Sequence, residues 1–199
     1  MKLADFAGPA LPVTDDDVRA VAKMLGISVR HVRAVQAVES NGRGVHPETK
    51  RPMILFEPHV FSRESGRRFD VRHPELSYPK WGAHPYPATQ EQRYSQLVAA
   101  MALDETAALR SASWGSYQLM GFNHRACGHA TVQSFVMAMV QGERAQLTAF
   151  GLFILANAEM HQALKVSDWS GFARRYNGAA YAQHGYDQKL KAAYARAAA

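Results

Sequence analysis

Glu39 is the residue of this sequence with the clearest capacity for chemistry, because its position combines a helix with partial burial. The helix is predicted from four valines at three-residue spacing: Val29, Val32, Val35 and Val38. It begins after Ser28 and is expected to end at Gly42. Glu39 follows Val35 by four residues, so it shares the buried stripe of that helix. We therefore expect its carboxyl group at the edge of a cleft.

The environment predicted for Glu39 raises the pKa of its carboxyl group. Partial burial disfavours the anion, and the negative end of the helix dipole disfavours it again. A carboxylic acid that keeps its proton near neutral pH is what acid catalysis needs. The plainer interpretation is a glutamate at a helix end that the following loop leaves in water, and spacing alone favours it. The other motifs of the sequence have to decide between the two.

Most of the chain around this residue is predicted to be helical. Two capping-box pairs mark helix starts, Thr14 with Asp17 and Thr89 with Gln92. Residues 131–141 and 144–158 are the most apolar segments, and they predict two helices that are buried nearly all round. Residues 187–196 are rich in alanine and in basic side chains, which predicts a terminal helix that either docks or frays.

Residues 41–88 interrupt the helical pattern with prolines and glycines. Within them only residues 53–56, Met-Ile-Leu-Phe, predict a short strand or a buried extended segment. The aromatic and basic side chains of this stretch could form one wall of a ligand groove, or they could belong to a solvated, irregular insertion. The predicted fold class is therefore mainly α, a helical domain with a small loop-rich or short β lobe around residues 41–88.

Composition sets bounds on the domain count and on the partners. With 199 residues, 47% of them hydrophobic, the chain is long enough for one well-buried domain. We predict a single domain over residues 1–199, with a core of about residues 14–194. The formal net charge of +6 suits an anionic partner, whether nucleic acid, lipid surface or acidic polysaccharide, and charge does not choose among them.

Several classes of protein are excluded by the same inspection. Cys127 is the single cysteine, so no intramolecular disulfide holds the fold together. The first residues lack the apolar core of a signal peptide, and no later run approaches the length of a membrane span. We therefore expect synthesis in the cytoplasm without a signal peptide. A target outside the membrane would then require delivery by another agent.

Three short motifs occur in a fixed order along the chain: Glu39-Ser40, Gly115-Ser116-Tyr117-Gln118 and Tyr176-Asn177-Gly178. The trio resembles the lysozyme-like superfamily of goose-type lysozymes and soluble lytic transglycosylases, whose signature is Glu-Ser, then Gly-x-x-Gln, then Tyr-Asn with a nearby Gly. The longer segments VESNGRG, RPMILFEPHVF, SASWGSYQLMGFNH and FARRYNGAAYAQHGYD are similar to the N-acetylmuramidase family of phage endolysins and related prophage proteins. This resemblance extends from Thr14 to Tyr194.

The resemblance implies a lysozyme-like helical fold and a peptidoglycan-cleaving enzyme. The bond implied is the β-1,4 bond between N-acetylmuramic acid and N-acetylglucosamine, and its cleavage would lyse bacterial cell walls. The partners implied are peptidoglycan glycan strands and, for a basic chain, an anionic cell-envelope surface. We expect a monomer without a cofactor, which an agent such as a holin delivers to the periplasmic peptidoglycan.

Glycoside cleavage gives roles to two carboxyl groups. Glu39 is the candidate acid that protonates the leaving oxygen. For the second carboxylate we favour Glu57, because it follows the predicted strand in the lobe that should face the catalytic helix. The competing interpretation of Glu57 is an acidic residue at a helix N-terminus, favourable to the dipole. Glu48 and Asp70 are weaker candidates in sequence that looks more exposed.

The resemblance also assigns five substrate-binding residues: Ser40, Gly115, Gln118, Tyr176 and Asn177. Ser40 would brace the catalytic carboxylate, and Tyr176 would form a hydrogen bond near Glu39. Ordinary helix-start and core positions are the alternative for all five. The match to the transglycosylases is incomplete, because Gly178 follows Asn177 directly and Ser-Tyr occupies residues 116 and 117, where an aliphatic-Met pair is usual. The shape of that subsite therefore stays open.

Metal and cysteine chemistry are not predicted. His124, Cys127 and His129 lie within one short segment but lack a second ligand pair at the spacing of a zinc site. No residue nearby is identified that would orient a catalytic Cys127.

Two other functions stay open. A lytic transglycosylase, which forms anhydromuramic ends, is the nearer one. The distant one is a helix-turn-helix DNA reader, because residues 14–40 predict helix, short turn and helix. Its second helix offers few side chains that could read bases: Arg30, His31, Arg33 and Gln36. We rank this alternative well behind the enzyme and predict no nucleic-acid partner.

Overall fold

The computed structural model describes residues 1–40 and 43–197, so Gly42, the predicted end of the second helix, lies outside the described residues. The α-helices are α1 Asp15–Leu25, α2 Val29–Glu39, α3 Pro58–Glu64, α4 Gln90–Leu103, α5 Glu105–Arg110, α6 Val132–Gln141, α7 Glu143–Ala156, α8 Ala158–Lys165, α9 Trp169–Asn177 and α10 Tyr186–Arg196. The strands are β1 Ile54–Phe56, β2 Ala112–Trp114 and β3 Leu119–Met120, and short 3-10 helices cover Leu3–Phe6, Gly121–Asn123 and Ala179–Ala182. The predicted fold class, mainly α with a small lobe, is confirmed.

Both predicted capping boxes are present. The Thr14 side chain accepts a hydrogen bond from the backbone of Asp17, whose carboxylate in turn accepts one from the backbone of Thr14. Thr89 and Gln92 make the same reciprocal pair at the start of α4. Each pair satisfies backbone N–H groups that the first turn of a helix leaves without a partner, and a cap of this kind is worth about 1 kcal/mol.

The helix that carries Glu39 forms where the valine pattern predicts it. Ser28 is the N-cap residue of α2, and its hydroxyl lies 2.8 Å from Nδ1 of His31. Val32 and Val35 are buried in the core, and Glu39 continues their stripe to the C-terminal end of the helix. The stripe therefore positions a carboxyl group at the border of the core.

The two most apolar segments form α6 and α7, as predicted, but α7 is not buried nearly all round. Leu147 and Ile154 lie in the core, whereas Leu155 on another face is 41% exposed. The helix also ends earlier than predicted, at Ala156, because the Asn157 side chain accepts a hydrogen bond from Met160 and starts α8. A capping residue therefore ends the predicted helix two residues early and starts α8, a helix that the sequence analysis did not predict.

A three-stranded antiparallel sheet lies beside the helical body in the order β1-β2-β3. Its register pairs Leu55 with Ser113 and Ser113 with Met120. Residues directly opposite each other in such a sheet point to the same face. One face is buried by Ile54, Phe56 and Trp114, while Leu55 and Met120 on the other are only half-buried.

The free edge of β1 is covered by a side chain from α4. The amide of Gln90 accepts a hydrogen bond from the backbone N–H of Ile54 at 2.9 Å and donates one to its carbonyl at 3.0 Å. Because one side chain satisfies both backbone groups, the three-residue strand is fixed without a further neighbour.

The lobe of residues 41–88 holds a helix, α3, at the place where the competing interpretation of Glu57 put a helix N-terminus. Pro58 occupies the first turn of α3, where a missing N–H costs no hydrogen bond. The prolines that suggested irregular chain therefore include one that starts a helix. The predicted strand is present, with Ile54 as its first residue.

The last helix, α10, docks on α2 and α9 rather than fraying. Leu190 on α10 is fully buried. The centroid of the Tyr194 ring lies 4.5 Å from that of the His31 ring. Arg30 donates a hydrogen bond to the Tyr194 carbonyl at 3.1 Å. This contact occupies the surface of α2 that a helix-turn-helix protein would present to DNA.

Within residues 1–40 and 43–197, no helix combines the length and the apolar character that crossing a membrane requires.

Candidate active site

The three sequence motifs meet in one cavity of about 320 Å³. Glu39 comes from the end of α2, Gln118 from the turn between β2 and β3, and Tyr176 with Asn177 from the end of α9. The remaining lining residues are Val38, Tyr117, Leu119, Met120, Asn123, Phe153 and Tyr186. Elements that are far apart in the chain therefore converge on the carboxyl group of Glu39.

Glu39 is held in a nearly dry position. Its residue exposure is 9%, and its Oε1 accepts a hydrogen bond from Nδ2 of Asn177 at 2.9 Å. Burial raises the pKa of Glu39, while the Asn177 hydrogen bond and the positive charge of Lys189 act in the opposite direction without cancelling it. The predicted upward shift is confirmed, with burial as its main cause. A carboxyl group in this state can donate a proton near neutral pH.

Tyr176 supports the cavity from beneath. Its hydroxyl donates a hydrogen bond to the Tyr117 carbonyl at 2.8 Å, and its ring stacks against Phe172 with centroids 5.9 Å apart. Burial, followed by the nearby charge of Glu39, raises the pKa of Tyr176, so the phenol stays protonated. The hydrogen bond expected from Tyr176 near Glu39 thus goes to Tyr117, and the next residue, Asn177, contacts the carboxyl group directly.

The turn between β2 and β3 fixes Gln118 through its own side chain. Its backbone is left-handed, with φ of 47°, an uncommon conformation for a residue other than glycine. The Gln118 amide accepts a hydrogen bond from Ser113 at 2.7 Å and donates one to the Gly115 carbonyl at 2.8 Å. The side chain is therefore presented to the cavity in one orientation.

Gly115 is required by the packing of the same turn. Its φ is 71°, and a Cβ atom at this position would lie 2.4 Å from Cδ of Gln146. Gln146 is 1% exposed, accepts a hydrogen bond from the Ser116 backbone at 2.8 Å and donates one to the Gly44 carbonyl at 3.3 Å. It thereby joins the turn to the segment that follows Glu39. The sequence analysis missed Gln146, although a polar residue within the most apolar segments was a signal for such a role.

Comparison with known proteins agrees with this geometry. The family model described as N-acetylmuramidase matches residues 28–198. The chain belongs to the N-acetylmuramidase family. A solved structure, the crystal structure of Burkholderia AP3 phage endolysin, is similar to this muramidase at 39% sequence identity and a TM-score of 0.85, covering 92% of this chain and 70% of that chain. No curated protein matches the sequence.

Membership of this family confirms the resemblance and the enzyme class predicted from the motifs. The muramidase is a glycoside hydrolase of the lysozyme type whose substrate is peptidoglycan. The DNA-reader alternative is correspondingly disfavoured, because Arg30 is bound to α10 and Arg33 pairs with Asp15 at 3.2 Å.

Glu57 lies at the junction between β1 and α3 of the muramidase. Its backbone N–H donates to the Ser111 carbonyl at 2.9 Å, which extends the strand pairing by one residue. Its carboxylate accepts a hydrogen bond from the hydroxyl of Tyr86 and lies 3.4 Å from Nδ1 of His59. The side chain is 16% exposed. As the N-cap residue of α3, Glu57 also occupies the position that the helix-terminus interpretation predicted.

The sheet connects Glu57 to the Glu39 cavity, although Glu57 is not among the described residues that line it. Leu55, Ser113 and Met120 form one row across the less buried face, and Met120 lines the cavity. Glu57 lies two residues after Leu55 and therefore points to the same face. We use the term groove for this face together with the Glu39 cavity. Two strand spacings, about 10 Å, separate β1 from β3 across it.

Ser40, Asp70 and Glu48, which were also considered as site residues, are not among the described residues that line the Glu39 cavity. Ser40 ends α2, and its backbone N–H donates to Gln36 at 3.0 Å. Asp70 accepts hydrogen bonds from Ser62 at 3.0 Å and from Ser77 at 2.5 Å, which makes it a brace within the lobe. Glu48 is exposed.

Three aromatic residues of the cavity, Tyr117, Phe153 and Tyr186, were not among the predicted site residues. Tyr117 stacks on Phe150 with centroids 4.2 Å apart, and Tyr186 reaches the cavity from α10. The substitution of Tyr for the usual residue at position 117 was visible in the sequence, but its packing against α7 was not. Tyr186 lies in the last segment that resembles the muramidase family, but nothing local indicates that α10 returns to α2 and brings this side chain to the cavity.

Cys127 is fully buried, and burial raises its pKa to about 12, so it is not a thiolate nucleophile. Among the residues of the muramidase that the structure describes, no group of three His, Cys, Asp or Glu side chains is arranged to hold a metal ion.

Proposed function

We propose that this muramidase hydrolyses the β-1,4 bond between N-acetylmuramic acid and N-acetylglucosamine by general acid/base catalysis. The observation that carries the proposal is the state of Glu39, a buried carboxyl group with a raised pKa, inside a cavity formed by all three motifs. Cleavage of a glycosidic bond needs such an acid to protonate the leaving oxygen.

Asn177 assists the loss of the proton from Glu39. Before reaction, burial favours the protonated carboxyl group by raising its pKa. As the proton moves to the leaving oxygen, a negative charge develops on Glu39, and the Nδ2–H group of Asn177 already points at Oε1. A donor oriented in advance stabilises that charge without reorganisation, which lowers the barrier of the proton transfer.

Glu57 is our candidate for the second carboxylate, which activates the attacking water. Two observations support this choice. The Glu57 side chain points towards the groove, and a hydrogen bond from Tyr86 fixes one of its carboxylate oxygens. Burial, followed by the hydrogen bond to Glu57, raises the pKa of Tyr86, so this donor stays protonated. The partial exposure of Glu57 gives a water molecule access to the other oxygen.

The substrate is proposed to lie along the groove against Gln118, Tyr176 and Asn177. Gln118 and Asn177 offer fixed amide groups to the N-acetyl and hydroxyl groups of the sugars. Ser40 and Gly115 contribute indirectly, since Ser40 follows Glu39 at the helix end and the Gly115 carbonyl holds the Gln118 amide.

A lytic transglycosylase remains the second candidate, because Glu57 stands outside the residues that line the Glu39 cavity. In that reaction the muramic acid hydroxyl closes on its own ring, and no second carboxylate is needed to activate water. The two reactions share the acid Glu39 and differ in whether water is added.

For the biological setting we propose a single catalytic domain over residues 1–199 that acts as a monomer on the walls of bacteria during phage release. It would reach the periplasmic peptidoglycan with the help of another agent, such as a holin. The net charge of +6 would favour the anionic surface of the envelope.

Mass spectrometry of fragments released from purified peptidoglycan tests the proposal. We expect reducing N-acetylmuramic acid ends, each carrying the mass of one added water. Anhydromuramic ends would replace the hydrolase with the transglycosylase, and reducing N-acetylglucosamine ends would assign the other glycosidic bond.

A further inference from the structure

A second pocket, of about 450 Å³, opens on the lobe beside α3. It is lined by His59, Ser62, Arg63, Gly66, Arg67 and Pro79, so two arginines and a histidine contribute to its wall. None of these residues lines the Glu39 cavity, and only His59, which lies beside Glu57, contacts a group proposed to act in the acid/base chemistry. We define this set of six residues as the α3 pocket.

The positive charge of the α3 pocket is only partly neutralised. The Glu64 carboxylate accepts a hydrogen bond from Arg63 at 3.0 Å through Oε1 and one from Arg110 at 2.6 Å through Oε2. One carboxylate is thus shared by two guanidinium groups, which leaves a net positive charge. Arg63 is 59% exposed, so its remaining N–H groups are accessible to a ligand. Five donors in a planar fork suit a carboxylate partner.

Arg67 adds a second exposed cation at the rim of the same pocket. Gly66 and Arg67 both adopt left-handed backbone, with φ of 66° and 61°, where the chain leaves α3. The backbone N–H of Arg67 donates to the Ser62 carbonyl at 2.7 Å, which fixes this turn. Of the negative groups nearby, Asp104 pairs with Arg68, Asp70 keeps its charge but accepts hydrogen bonds from Ser62 and Ser77, and Glu57 lies beside His59. The exposed guanidinium groups of Arg63 and Arg67 are therefore the accessible charges of the pocket.

The α3 pocket adjoins the groove at two points. His59 of the pocket lies 3.4 Å from the Glu57 carboxylate, on the side of the second catalytic candidate. The Arg63 guanidinium lies over the Phe122 ring, 5.2 Å from its centroid, and the next residue, Asn123, lines the Glu39 cavity. A ligand bound along the groove would therefore have the pocket at its flank.

We propose that the α3 pocket binds the free carboxylates of the peptide stems that hang from the muramic acid residues of the substrate. The proposal rests on the proposed function of the groove and adds a recognition element to it. Where a stem is attached, the lactyl carboxyl group of muramic acid is an uncharged amide, so the sugars bear no charge there, whereas the stems carry carboxylate groups at intervals. A flanking site with two exposed guanidinium groups is complementary to those carboxylates rather than to the sugars.

The test compares three glycan substrates of matched length: one with intact acidic stems, one with the stem carboxylates amidated, and one stripped of its stems with the freed lactyl carboxyl groups amidated. We expect the protein to cleave the acidic form with the lowest KM. The double variant Arg63→Gln/Arg67→Gln should raise KM for the acidic substrate about tenfold, the loss expected for charge-assisted hydrogen bonds. It should leave kcat/KM for the amidated and stripped substrates within about twofold of the unmodified protein.

A matched control separates a site from general charge attraction. The double variant Arg19→Gln/Lys165→Gln removes the same charge from exposed positions on α1 and α8, outside the α3 pocket. It should leave KM for the acidic substrate unchanged at physiological salt. Thermal melts of both double variants confirm that each is folded.

An equal rise of KM in the control would overturn the proposal in favour of non-specific attraction to an anionic wall. An equal effect of Arg63→Gln/Arg67→Gln on stripped chains would also overturn it, because the arginines would then act on the sugars. If the unmodified protein cleaves none of the three substrates, the proposed function itself fails. That outcome is distinct from cleavage without any preference among the three, which would contradict the stem-binding site alone.

Discussion

The two candidate carboxyl groups occupy contrasting surroundings. Glu39 ends an eleven-residue helix, is nearly dry and is contacted by one amide, so its pKa rises. Glu57 follows a three-residue strand in the lobe, is partly exposed, and is held by Tyr86 and His59. An acid that must keep its proton and a base that must meet water need different environments. The helical body and the lobe provide one each.

The largest effect is expected from Glu39→Gln, which removes the buried carboxyl group that we propose as the proton donor. Activity against cell walls, measured as loss of turbidity, should fall at least about a hundredfold, because acid catalysis is lost. The fold should be retained, since the amide is similar in shape to the carboxyl group and bears no charge. Glu91→Gln, an exposed acid on α4, is the control and should remain fully active. Near-normal activity of the Glu39 variant would remove this residue from catalysis.

A smaller effect is expected from Glu57→Gln, which alters the partly exposed carboxylate and distinguishes the hydrolase from the transglycosylase. Loss of the base should reduce hydrolysis by roughly tenfold to a hundredfold, with the thermal melt unchanged. Glu48→Gln, which alters the weaker candidate, should have no effect. Normal clearing of walls by the Glu57 variant would make this residue a helix cap and would favour the transglycosylase.

Asn177→Leu tests whether the pKa of Glu39 depends on its hydrogen bond with Asn177. Asn177 lowers the pKa of Glu39 through its hydrogen bond, so removing the donor should raise that pKa further. The protonated, active form of Glu39 then persists to higher pH, and the alkaline limb of the profile of kcat/KM against pH moves upward. The maximum rate should fall by about threefold to tenfold, because the developing anion loses its donor. An unmoved alkaline limb would contradict the role given to Asn177.

The smallest effect is expected from Lys189→Met on α10. The positive charge of Lys189 also lowers the pKa of Glu39, so its removal should shift the alkaline limb upward, by less than Asn177→Leu does. Because Lys189 is exposed, the shift should diminish in high salt. Lys191→Met, two residues away and also exposed, is the matched control and should leave the profile in place. Equal shifts from both variants would point to net charge rather than to this lysine.

The same contrast explains how much the sequence could predict. The helix of Glu39 and its buried stripe could be predicted because α2 is long enough for three-residue spacing, whereas the choice of Glu39 as a candidate acid also needed the three motifs. The β2–β3 turn was recognised only as a motif, since strands of three and two residues show no periodicity. Contacts such as the stacking of Tyr117 on Phe150 depend on tertiary packing, which no local pattern encodes. In the lobe, Pro58 was counted as an interruption although it starts α3.

The docking of α10 has a consequence for when the enzyme gains its activity. Tyr186 on this helix supplies part of the cavity wall, whereas Glu39 is synthesised much earlier in the chain. A ribosome-bound intermediate that has released α1 to α9 therefore holds Glu39, the proposed acid, but an incomplete cavity. We therefore expect no activity on peptidoglycan until α10 has emerged and packed on α2. Proteolytic trimming within α10 would accordingly inactivate the protein without altering any residue of the three motifs.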